Sequence, residues 1–202
     1  MADALPILRC GGRNIFVRPT PLPKRSGCVG CDLSSRRSPQ MIDAQDRPVF
    51  IEADHVSWTV LDAGAVAQWY TDVFGATELF RMGPLDAAQI PVGDDGRDWM
   101  ESHINVPGAC LTLIMLKLTA NLNFQLVQYD KPAIRGTTLP RNCDAGGHHL
   151  GIKVDDVEKA KRYLVAHGCT AMDTIDITDG PLAGKKNLYI LDPWGHQLEI
   201  VD

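Results

Sequence analysis

Between residues 52 and 202 the chain repeats one order of elements, and this repeat constrains the fold more than any other feature. The stretch Asp54-His55-Val56-Ser57-Trp58-Thr59-Val60 alternates polar and apolar residues and reads as a strand. Asp62 is an N-cap candidate for a helix over Ala63 to Phe74, where Val66, Trp69, Tyr70 and Val73 recur at helical spacing. Gly75 stands where a C′ glycine belongs. A strand over 76–81, a loop-rich stretch over 82–108 and strands over 109–118 and 123–129 complete the first half, which ends at Pro132. The second half follows the same order. A strand over 147–154 opens with His148 and His149, Asp155 is the N-cap candidate, and the helix runs from Val157 to His167 with Gly168 closing it. Strands follow over 170–175, 185–191 and 196–201, the last two joined by the turn Asp192-Pro193-Trp194-Gly195. Each half is β-α-β-β-β, and neither alone buries a sufficient core, so the two must pair. The expected fold is α+β: two paired βαβββ modules, residues 49–132 and 145–202, forming a curved, half-open mixed sheet.

Charge separates this body from what precedes it. The net charge is −5, yet residues 1–48 hold eight Lys and Arg against four Asp, which leaves the remainder at −9. The first 48 residues also carry six of the thirteen prolines and show no sustained periodicity, so they read as a disordered, basic, Pro-rich leader. The leader lacks the apolar core of a secretory signal. Its arginines suit an organellar transit peptide less well than its prolines and Asp3 suit a plain tail, and Met41 is an alternative start. Cys28-Val-Gly-Cys31 has only Cys10 nearby as a further thiol and no His in the leader, too few ligands for structural zinc. The scattered Cys110, Cys143 and Cys169 fit reduced thiols and a cytoplasmic setting. An acidic body argues against nucleic-acid binding, and no apolar run approaches membrane-spanning length.

Four residues fall at matched places in the repeat. His55 opens the first strand of one half and His149 that of the other; Gln125 lies in the last strand of the first half and Glu199 in that of the second. Phe124 and Leu126 flank Gln125, and Leu198 and Ile200 flank Glu199, so strand alternation turns both polar side chains away from the helix-covered face. A pseudo-twofold relation would then gather two imidazoles and two oxygen donors in the hollow. Such a set, without thiolate, suits one divalent first-row cation: Zn, Ni, Co, Mn or Fe(II).

These motifs resemble the vicinal oxygen chelate superfamily, which includes glyoxalase I, methylmalonyl-CoA epimerase, extradiol dioxygenases and bleomycin and fosfomycin resistance proteins. The resemblance rests on Asp54-His55-Val56 ahead of the Trp69-Tyr70…Phe74-Gly75 helix end, on Phe124-Gln125-Leu126-Val127-Gln128-Tyr129, on Gly147-His148-His149-Leu150…Val154-Asp155-Asp156 and on Tyr189…Asp192-Pro193-Trp194-Gly195-His196-Gln197-Leu198-Glu199. It implies a metal held by His55, Gln125, His149 and Glu199, with the second histidine of the tandem pair as the ligand. The ligand pattern is similar to that of methylmalonyl-CoA epimerase, and related epimerases of cyclitol-type ketones share the fold. The long 82–108 connection departs from the first of these.

The resemblance implies chelation of a small substrate with vicinal oxygens and proton transfer next to a carbonyl, by an epimerase, isomerase or glyoxalase-like lyase. Glu199 is the one carboxylate of the set, hence a ligand and the candidate catalytic base. Two alternatives are an Fe(II) extradiol-type dioxygenase on His55, His149 and Glu199, against which Gln125 counts, and a non-catalytic antibiotic-binding protein. Ser57, Lys185, Lys186 and Tyr189 are candidate substrate contacts. Trp58, Trp69 and Trp194 read as core, and His103, His167 and His196 as surface or turn residues. A homodimer is expected, because one pair of modules leaves sheet edges open.

Overall fold

The computed structural model describes residues 7–10, 13–16, 47–132, 136 and 138–202. In the leader, β1 (Ile7–Cys10) and β2 (Arg13–Phe16) form an antiparallel hairpin, which the reading of a structureless leader did not anticipate. Cys28, Cys31, Met41 and the Pro19–Pro23 stretch lie outside the described residues.

The first half comprises β3 (His55–Thr59), α1 (Ala63–Phe74), β4 (Thr77–Asp86), α2 (Trp99–Ile104), β5 (Cys110–Thr119) and β6 (Leu122–Lys131), with a 3-10 turn at Ala87–Gln89. Its sheet order is β3-β6-β5-β4, with β3 parallel to β6 and the other pairs antiparallel. The second half comprises β7 (Leu150–Lys153), α3 (Val157–Ala166), β8 (Thr170–Ala171), β9 (Ile175–Ile177), β10 (Lys186–Leu191) and β11 (Gln197–Val201). Here β7 lies parallel to β11, β11 antiparallel to β10, and β10 antiparallel to both β8 and β9, which act as one interrupted strand. First strand beside last, last beside third, third beside second: both halves share this topology. Among the described residues the fold is α+β with no closed barrel. The halves form two hydrogen-bonded sheets rather than one, because they meet through side chains, not through a strand ladder.

Local chemistry sets the helices. Asp62 Oδ1 accepts from the Ala65 N–H at 2.8 Å at the start of α1, and Gly75 ends it in the left-handed region at φ 70°. Ala63, Val66, Ala67 and Tyr70 form the buried stripe of α1. In the second half the cap of α3 is Asp156 rather than Asp155, its Oδ1 accepting from the Lys159 N–H at 2.9 Å.

One core spans both halves, joining Trp58, Tyr70, Phe124 and Leu126 to Ile152, Leu188, Leu198 and Ile200. At its centre Tyr70 donates to Asp192 Oδ2 at 3.1 Å, while Asp192 Oδ1 accepts from the backbone N–H groups of Trp194 and His196 at 2.9 and 2.8 Å. His196, expected near the surface, is only 7 % exposed. Its ring stacks on Trp58 with centroids 4.5 Å apart, and its Nδ1 lies 3.2 Å from Asp192 Oδ2. Trp58 is core as expected, and Trp69 and Trp194 pack at its margin. Among the described residues no helix is long and apolar enough to cross a membrane.

Removing a buried acceptor strands every donor it satisfied. Asp192→Ala is expected to cost about 3 kcal/mol in urea unfolding, against about 1 kcal/mol for Tyr70→Phe, which removes a donor and leaves the carboxylate its backbone partners.

Candidate functional site

Strand register carries the candidate donors to the hollow faces. Ser57 is paired with Gln125 across β3 and β6, and Glu199 lies between Gly151 on β7 and Tyr189 on β10. Phe124, Leu126, Leu198 and Ile200 are fully buried against the helices, while Gln125 and Glu199 are half-buried on the opposite faces. The alternation read from the sequence therefore holds at both positions.

The donors stand as two pairs. In the first half Ser57 Oγ donates to Gln125 Oε1 at 2.9 Å, and His55 Nδ1 lies 2.5 Å from Asp54 Oδ1. In that arrangement the Nδ1–H of His55 donates to Asp54, which leaves Nε2 with the lone pair. In the second half His149 Nε2 lies 3.2 Å from Glu199 Oε2. The Asn187 side-chain amide donates to Glu199 Oε1. Tyr189 sets its ring edge-on to His149, with centroids 5.2 Å apart. Burial first, and then the negative charge of Glu199 and a hydrogen bond to it, push the Tyr189 phenol up. The structure thus brings His149 together with Glu199, and Ser57 with Gln125. Among the described residues it gathers no cluster of three or more His, Cys, Asp or Glu side chains that could hold a metal.

The neighbouring candidates divide. His148 does not join Glu199: its Nδ1 sits 3.2 Å from the Gly146 carbonyl and its ring faces Trp58. Lys185 and Lys186 line a recess of about 330 Å³ beside Glu199, but both bond within the chain. Lys185 Nζ donates to the Asp202 carbonyl at 2.7 Å, and Lys186 pairs with Asp176. Sequence reasoning missed Asn187. Its signal was available, since Asn187 shares strand parity with Tyr189 and so occupies the hollow face beside Glu199.

A second missed element roofs the first hollow. Residues 82–108 read as loop, yet they contain α2. Asp98 builds it: Oδ1 accepts from the N–H groups of Met100 and Glu101, both at 2.9 Å, and Oδ2 accepts from Gly108 at 2.7 Å. These three backbone bonds hold the Asp98 carboxyl below the usual carboxylate range, the Glu101 and Gly108 bonds contributing most. Met100 is buried, with a small second core around it. Beneath α2 lies a cavity of about 480 Å³ that His55, Ser57 and Gln125 share with apolar residues of β4, β5 and α2. His103, exposed as expected, also lines this cavity.

This topology, with donor side chains on matched strands, defines a two-module βαβββ protein. The chain belongs to the Glyoxalase/Bleomycin resistance protein/Dioxygenase superfamily, whose model matches residues 52–200. It is 38 % identical over 158 residues to a protein from Actinomyces sp named 2-epi-5-epi-valiolone epimerase, covering 77 % of this chain and 81 % of that protein. Two solved structures share the fold. A glyoxalase family protein from Bacillus cereus matches with TM-score 0.60 at 14 % identity, over 77 % of this chain and 96 % of its own. A glyoxylase/bleomycin resistance protein/dioxygenase domain from Frankia sp. EAN1pec matches with TM-score 0.51 at 20 % identity, over 76 % and 98 %.

Asp98→Ala is expected to raise amide exchange across residues 99–104 about fivefold at neutral pH, because the helix start and the Gly108 end lose their common acceptor. Hydrogen–deuterium exchange read by mass spectrometry measures this. Exchange in α1, capped independently by Asp62, serves as the internal reference.

Proposed function

We propose that the protein is a metal-dependent epimerase that moves a proton at a carbon next to a carbonyl of a small oxygenated substrate. The observation that carries this reading is the Glu199 carboxylate set against the His149 imidazole on the hollow face of the second sheet. The epimerase name of the 38 % identical relative supports it, and makes 2-epi-5-epi-valiolone the first compound to test.

The donor chemistry fits one divalent cation, of Zn, Ni, Co, Mn or Fe(II), held by His55, Gln125, His149 and Glu199. Each half supplies one imidazole and one oxygen. His55 is turned by Asp54 with Nε2 free, and His149 Nε2 and Glu199 Oε2 already converge. Such a cation, when bound, polarises a carbonyl and acidifies the adjacent C–H. The chain does the rest. Asn187 fixes Glu199 Oε1, and Oε2, once it leaves the cation, would take a proton from that carbon and return it. Ser57 orients the Gln125 side chain through Oε1. Tyr189 keeps a neutral hydroxyl beside Glu199 at physiological pH, because burial and that carboxylate both oppose its ionisation.

The test is uptake of deuterium from D₂O into 2-epi-5-epi-valiolone at the carbon next to its carbonyl, with elemental analysis of the same preparation. Wild type is expected to contain stoichiometric metal and to exchange, and Glu199→Gln to exchange about a thousandfold more slowly. Exchange that survives Glu199→Gln rejects Glu199 as the base, and a wild type without stoichiometric divalent metal rejects the metal reading. Asn187→Ala is expected to weaken metal affinity about tenfold in a competitive chelator titration, since outer partners of ligands typically contribute that much.

A further inference from the structure

The roof over the first hollow leaves one donor unmet. Trp99 opens α2 and His103 stands four residues later, so both side chains lie on one face of the helix, about 6 Å apart. Both line the cavity beneath it, Trp99 half-buried and His103 at the exposed mouth. Trp99 Nε1 is shielded from water, yet among the described residues it meets no acceptor. An indole N–H can only donate, and buried donors are almost always paired. The segment around it is tightly satisfied. Asp98 takes three backbone N–H groups, and Ser102 Oγ donates to the Trp99 carbonyl at 3.1 Å. An unmet donor in a helix so firmly tied fits a place where a bound molecule brings the acceptor.

The rest of the lining describes that molecule. Strand alternation turns Ser57 and Thr59 of β3, and Gln125 and Tyr129 of β6, into the cavity. Between this wall and the roof donors, Leu111, Leu113 and Met100 are purely apolar. The cavity, about 480 Å³, is of the size that encloses a whole small ligand. A hydroxylated ring matches this order, with oxygens at opposite edges and C–H faces between them. A plain alkyl ketone would leave Trp99 Nε1 unmet. We propose that Trp99 and His103 are specificity-determining residues that bind a ring hydroxyl on the far side of the substrate from its chelated oxygens. The Trp99 Nε1–H donates to the oxygen of that hydroxyl, and the His103 imidazole accepts from its O–H at the cavity mouth. Neither touches the carbon that exchanges its proton. The ligand class is a polyhydroxylated cyclic ketone, to which 2-epi-5-epi-valiolone belongs. This inference rests on the chelation proposed above for the near edge of the ring.

A pair of ligands tests it. 2-Hydroxycyclohexanone carries two vicinal oxygens on its ring and no far hydroxyl; 2-epi-5-epi-valiolone carries hydroxyls around the ring. Each would be titrated into the full-length protein loaded with Co(II), whose visible spectrum reports chelation and yields the affinity. Trp99→Phe keeps an aromatic ring and removes the N–H. It is expected to weaken binding of 2-epi-5-epi-valiolone about tenfold and to leave 2-hydroxycyclohexanone within about twofold. His103→Ala is expected to weaken the first about threefold and spare the second. A readout without substitution is the nitrogen-15 spectrum of the Zn(II)-loaded wild type, in which 2-epi-5-epi-valiolone is expected to move the Trp99 indole N–H signal downfield and 2-hydroxycyclohexanone to leave it in place. Equal losses for both ligands in Trp99→Phe, no loss for either, chelation of 2-hydroxycyclohexanone alone, or an indole signal that neither ligand moves would overturn the roles of Trp99 and His103 and leave chelation standing. A wild-type spectrum that neither ligand changes would overturn the chelation reading and these roles with it.

Discussion

A single buried carboxylate holds the two halves of this protein in register. Asp192 is 3 % exposed, and a carboxylate so far from water must be fully engaged. One oxygen takes two backbone N–H groups of its own turn, which shapes the β10–β11 hairpin. The other takes the Tyr70 hydroxyl from α1 of the other half and faces His196, on which Trp58 of β3 stacks. Burial and then Asp192 push the Tyr70 phenol well up, and the same two causes push the Cys169 thiol up to about 11. Neither the phenol nor the thiol therefore places a second anion beside it. The consequence reaches the site. His55 lies three residues before Trp58 on β3, and Glu199 three residues after His196 leading into β11. Whatever fixes Trp58 on His196 fixes how the two donor pairs stand to one another.

What could be read from the sequence follows the range of the interactions involved. The caps of α1 at Asp62 and Gly75 depend on one or two local bonds, and both fall where the residue types place them. Strand parity at Gln125 and Glu199 is equally local, because the apolar flanks Phe124, Leu126, Leu198 and Ile200 bury on one face whatever lies beyond. The repeat itself needs only element order. Elements that depend on distant partners were not legible. The six-residue helix α2 has too short a period to be seen, and its acceptor Asp98 closes onto Gly108, ten residues away. His196 looks like a turn residue until Trp58, from the other half, covers it. The break between β8 and β9 is visible only once both are found on β10. The pairing of β1 with β9 joins residues more than 160 positions apart.

The two halves share a topology but not a task. Each holds its oxygen donor by a neighbour's hydrogen bond, Ser57 to Gln125 Oε1 and Asn187 to Glu199 Oε1. An amide so held can orient and coordinate but cannot take a proton at neutral pH; a carboxylate can. On the function proposed above, proton transfer would belong to the second half. Shape belongs to the first. Its second and third strands are joined by residues 87–109, long enough to fold α2 over the hollow, whereas the equivalent connection in the second half spans only 178–185 and leaves its hollow open beside Lys185 and Lys186. On that function, a repeat in which one copy keeps the carboxylate and the other grows a roof would separate chemistry from recognition, and changes beneath α2 could alter what is bound without touching Glu199.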